Sequence, residues 1–79
     1  MSRHSYLTQG KQVAYGFDHV FGYFIQVFDE ASEDPEIPII DADSVTHSRG
    51  ELIDLFEAYK VFERNPEHME MICLDLPIE

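Results

Sequence analysis

The run Gln12-Val13-Ala14-Tyr15-Gly16-Phe17-Asp18, followed three residues later by Gly22-Tyr23-Phe24-Ile25-Gln26-Val27-Phe28-Asp29, decides the fold. In the first run Val13, Tyr15 and Phe17 point one way and Gln12, Ala14, Gly16 and Asp18 the other. Period-two alternation is the mark of a strand. The small residues Ala14 and Gly16 leave room for a helix or another backbone on their face. The second run is rich in aromatic and β-branched residues, which favour strands. Its faces, Tyr23/Ile25/Val27 and Phe24/Gln26/Phe28, are both largely apolar. That predicts a central strand, or one face meeting a partner. The short connection ending at Gly22 suits a hairpin.

On the N-terminal side, residues 1–10 are polar and without clear periodicity, and read as a flexible arm. On the C-terminal side, residues 30–36 (Glu-Ala-Ser-Glu-Asp-Pro-Glu) form an acidic loop. Residues 37–42 follow as a third strand, with Pro38, which lacks an N–H, favouring an edge position. Ser48 and Glu51 have capping-box spacing. Leu52, Leu55, Phe56 and Tyr59 then make one helical stripe, which predicts a helix over 49–62. Asn65-Pro66 opens a second helix over about 66–74. That helix would bury Met69, Ile72 and Cys73 and expose Glu67 and Glu70. Strands before helices imply the α+β class. The expected architecture is a short antiparallel sheet of about three strands, with two C-terminal helices on one face. Residues 11–79 make the single domain.

Seventy-nine residues place the domain near the lower limit for an independent core. Ten of its apolar residues are Phe or Tyr, which argues against a disordered acidic chain. One cysteine, Cys73, allows no internal disulfide and is read as a small core residue. The first ten residues lack the apolar region of a signal peptide. No apolar run approaches the roughly 20 residues of a membrane span. A soluble cytoplasmic protein is expected.

The strongest functional feature is charge. The chain has 16 acids and 5 bases, a formal net charge of −11. From Gln12 to Ser48 there is no lysine or arginine. A field of one sign favours basic partners and opposes nucleic acid and anionic membranes. The candidate partner-binding residues are Asp29, Glu30, Glu33, Asp34, Glu36, Asp41 and Asp43, with Asp54 and Glu57 as a second acidic row on the helix. On a strand, Asp41 and Asp43 would stand about 6.7 Å apart, close to the spacing of successive phosphates. DNA-reading proteins rely on arginine and lysine contacts to phosphates, and such a groove would accept these carboxylates. The competing account is that the acids only keep a small domain soluble.

Other chemistry is poorly represented. Asp41-Ala42-Asp43 after Ile39-Ile40 looks like the Asp-x-Asp of haloacid dehalogenase-type phosphotransferases, where the first carboxylate is the nucleophile and the pair holds magnesium. The further motifs of that family do not follow Ser44. Nearby carboxylates raise a weak Ca²⁺ or Mg²⁺ site as a lesser alternative. His4, His19, His47 and His68 lack zinc spacing and read as scattered surface or cap residues. No nucleophile elbow or phosphate loop is present. Aromatics at Tyr15, Phe17, Tyr23 and Phe24 could stack bases only within a basic surround, which is missing here. No catalytic residue, metal or cofactor is expected.

In its size, acidity and lack of motifs the chain resembles the small inhibitors of phages and mobile elements, anti-CRISPR proteins and anti-restriction DNA mimics. The resemblance implies a non-enzymatic protein that blocks the nucleic-acid groove of a DNA- or RNA-handling complex. The alternative is an interaction module or homodimer held by apolar sheet surface.

Overall fold

A computed structural model describes residues 2–79. Strands β1 (Ser2–Thr8), β2 (Lys11–Asp18), β3 (Gly22–Asp29) and β4 (Ile40–Asp43) precede helices α1 (Arg49–Ala58), α2 (Val61–Arg64) and α3 (Pro66–Cys73). The strands form one antiparallel sheet in chain order. The α+β class and the strands-then-helices order are as expected, with four strands in place of about three.

The additional strand is the segment expected as a flexible arm. Ser2–Thr8 pairs with β2 along its whole length, from Ser2 opposite Phe17 to Thr8 opposite Lys11. The turn between them is Gln9-Gly10, with φ of +51° and +75°. Two successive positive φ values define the two-residue type I′ turn that matches strand twist. The backbone that approaches Gly16 is that of Ser2 in this strand, lying where a Gly16 Cβ would project.

The β3 register opposes Tyr15 to Ile25 and Val13 to Val27. One sheet face therefore carries Tyr6, Val13, Tyr15, Tyr23, Ile25, Val27 and Ala42. All are buried, together with Leu52, Phe56, Val61 and Ile72 from the helices and Ile78 from the segment that follows α3. Three tyrosine hydroxyls join the layers. Tyr6 donates to the Tyr59 carbonyl, Tyr23 donates to the Leu76 carbonyl at 2.6 Å, and Tyr15 lies 2.9 Å from His68 Nδ1.

Three local expectations are corrected. The helix predicted over 49–62 is two helices. The capping box at Ser48 and Glu51 forms, but Lys60 adopts φ +66° and turns the chain so that Val61 enters the core. The third strand begins at Ile40, so Ile37, Pro38 and Ile39 lie in the connection before it. Helix α3 buries His68 and Ile72, one turn apart, while Met69 and Cys73 are exposed. Its face is chosen by Tyr15, whose hydroxyl meets His68. Asn65 correspondingly donates its side chain to the Tyr15 hydroxyl at 2.8 Å and does not cap α3 with it.

Candidate functional site: the open face of the sheet

Because the helices cover one face, the opposite face is left without a layer. Strand alternation assigns its residues, and the register sets them in cross-strand rows. One row runs Arg3, Gly16, Phe24, Asp43, and the next runs Ser5, Ala14, Gln26, Asp41. Phe24 and Phe28 are half-buried on this face. Arg3, Asp18, Phe21, Phe24, Gln26, Asp41 and Asp43 line a shallow groove of about 310 Å³. Arg3 is the one lysine or arginine among the sheet residues of this face. Its guanidinium lies 6.0 Å from the Phe24 ring centre, and Nη1 donates to Gln26 Oε1 at 3.3 Å. Gln26 Nε2 in turn donates to Asp41 Oδ1 at 3.4 Å.

The nine predicted acids do not converge. Asp41 and Asp43 share the open face, as alternation on a strand requires. Asp29 has the opposite parity and pairs across the sheet with Lys11. Glu30, Glu33, Asp34 and Glu36 lie exposed in the β3–β4 connection, at the end of the sheet where β3 leaves it. Asp54 and Glu57 are exposed on α1, in the helical layer, so the sheet separates them from Asp41 and Asp43. Asp18 lines the groove with Asp43 but was not in the predicted set. Its place on the Gln12/Ala14/Gly16 face was the signal for it.

Several of these carboxylates also hold the backbone. Asp18 Oδ1 accepts from the Val20 and Phe21 N–H groups at 2.7 and 3.2 Å. Those bonds lower its pKa from the ordinary 3.8, because hydrogen bonds to a carboxylate favour its charged form. Asp43 Oδ1 accepts from Val45 N–H at 2.9 Å and Thr46 N–H at 3.0 Å. Asp29 and Asp34 cap turns through Ala31 and Glu36 N–H in the same manner. Such Asx turns explain the abundance of aspartate in the connections. Asp41 has no turn to hold.

Among the described residues no three His, Cys, Asp or Glu side chains are grouped to hold a metal ion. No described helix is long and apolar enough to cross a membrane. No family model, no curated protein and no solved structure matches this chain.

Proposed function

We propose that this protein is a small, non-enzymatic inhibitor whose open sheet face occupies the basic nucleic-acid groove of a DNA- or RNA-handling protein. The observation that supports it is the placing of Asp18, Asp41 and Asp43 around the Phe24 groove, with the helices on the far side. Carboxylates at the rim steer a basic partner, and the aromatic floor supplies apolar contact. Glu30, Glu33, Asp34 and Glu36 extend the acidic surface past the end of the sheet. Asp54 and Glu57 face away from it and take no part. The setting is the cytoplasm, with a protein partner and neither nucleic acid nor membrane bound directly.

The test uses the immobilised full chain and nuclease-treated lysate of the source cells, washed with rising salt. A variant combining Asp41→Lys, Asp18→Asn and Asp43→Asn is run beside it. Asparagine keeps the turn acceptors of Asp18 and Asp43 and removes their charge. The reading expects nucleic-acid-binding proteins that are held at low salt, released by high salt and lost with the variant. Equal retention by the variant would refute it.

A second reading has its own observation: the helices leave Phe24 and Phe28 only half-buried. A partner held by that apolar surface would persist at high salt and be lost with Phe24→Asp. Tyr23 is unsuitable for this test, because it is buried in the core.

A further inference from the structure

We infer that β1 is a pairing edge for a second copy of this chain, joining two sheets into one of eight strands. The observation is a seven-residue edge on the one strand that carries no acid, in a strongly acidic protein. β1 is the first strand of the sheet and pairs only with β2 among the described residues.

The turn geometry tells which backbone groups it presents. In a two-residue hairpin the residues flanking the turn, here Thr8 and Lys11, form a hydrogen-bonded pair, and the pairs alternate from there. Tyr6, His4 and Ser2 therefore turn their N–H and C=O groups towards β2. Leu7, Ser5 and Arg3 turn theirs away from the sheet. All three are exposed.

Edge strands are usually protected by proline, a bulge, shortness or charge. β1 has seven residues, contains no proline and pairs with β2 without a skipped position. The other edge, β4, has four residues and carries Asp41 and Asp43. Proline 38 and the acidic connection precede it. The β4 edge is thus short and carries two carboxylates, whereas the longer β1 edge carries the single charge of Arg3.

Charge selects the occupant. Residues 1–17 contain Arg3 and Lys11 and no acid, while all 16 acids lie from Asp18 onward. Two copies with net charge −11 repel each other overall. They approach at least cost through β1, with both β4 edges at the far ends of the joint sheet. The acids brought near β1 are Glu79, whose backbone oxygen lies 2.6 Å from His4 Nε2, and Asp18, which lines the open-face groove with Arg3. A strand from a strongly basic partner would gain nothing from this acid-free edge.

A two-fold axis at Ser5 gives antiparallel pairing. Ser5 faces Ser5 of the other copy, and Arg3 faces Leu7. The two Arg3 side chains are then separated by about 13 Å along the strands, so no like charges are opposed. The pairing leaves the acidic groove of each copy open.

The experiment is sedimentation equilibrium of the full chain from micromolar to near-millimolar concentration, at low and high salt, with far-UV circular dichroism of each variant. The wild type is expected to double its mass with concentration. It should dimerise more tightly as salt screens the net repulsion, the opposite of the salt response expected for a basic partner. Ser5→Pro removes an outward N–H and spares the ladder to β2. Ser5→Glu sets two carboxylates directly opposite each other. Each is expected to weaken dimerisation more than about tenfold with an unchanged spectrum, whereas Phe24→Asp, on the sheet face, leaves it intact. A wild type that stays monomeric throughout overturns the inference, as does a dimer that survives both Ser5 variants.

Discussion

Tyr15 lies in the centre of β2 with no exposure. Its hydroxyl accepts from Asn65 and is hydrogen-bonded to Nδ1 of His68. His68 is itself buried, and the His4 ring stands 4.9 Å from it. Burial, then the neighbouring His4, holds the His68 imidazole below its ordinary 6.5, with Glu67 opposing. The unfolded chain takes up this proton first, so stability is full above pH 6.5 and falls as pH drops below it. On the alkaline side, burial raises the pKa of Tyr6 to about 12 and raises Tyr15 and Tyr23 above 10.0. Stability is then full below pH 10 and lost as pH rises towards 12. Urea midpoints are expected to be highest near pH 7–9 and lower at pH 5.5 and 11, with the acid slope reduced in His68→Gln. Tyr15→Phe leaves His68 and Asn65 without their common partner and is expected to cost about 1–3 kcal/mol in urea unfolding. The sequence identified Tyr15 as core by alternation. It did not identify His68, because a histidine between Glu67 and Met69 has nothing local to show that it meets a tyrosine 53 residues away.

At the scale of elements, β2, β3 and α1 were legible because their apolar periods are strong and their start signals lie within a few residues. Ser48→Ala removes the acceptor for the Glu51 N–H, 3.2 Å away, and is expected to cost about 1 kcal/mol, read as a lowered melting temperature. β1 was not legible, because an edge strand with Arg3, Ser5 and Leu7 facing solvent carries no apolar alternation on that side. The Gln9-Gly10 turn was its only local signal. Its docking depends on Gly16, where any Cβ would meet the Ser2 backbone. Gly16→Ala is expected to force β1 from β2 at Ser2 and Arg3, read as faster amide exchange in the outer hairpin than in β3. Unchanged protection would contradict the close approach. The break at Lys60 was also hidden, since a lysine at φ +66° is imposed by the burial of Val61 and not by its own preference.

For the whole molecule, charge and covering are distributed separately. The helices cover one sheet face. The other keeps Phe24 and Phe28 half-exposed among Asp18, Asp41 and Asp43, and β1 contributes the acid-free edge. The sequence revealed how acidic the chain is but not where the acids stand. Strand parity put Asp41 and Asp43 together, whereas tertiary packing sent Asp54 and Glu57 to the other side. The turn-capping duty of Asp18, Asp29, Asp34 and Asp43 also means that part of the acidity serves the fold. The central claim is that the open face competes with nucleic acid for a basic groove. It is tested most directly by releasing a captured partner with salt, loading it with fluorescent nucleic acid, and adding this protein at rising concentration. The account predicts displacement of the nucleic acid, weakened as salt rises and abolished by Asp41→Lys with Asp18→Asn and Asp43→Asn. A partner that holds both ligands at once, or equal displacement by the charge-altered variant, would contradict it.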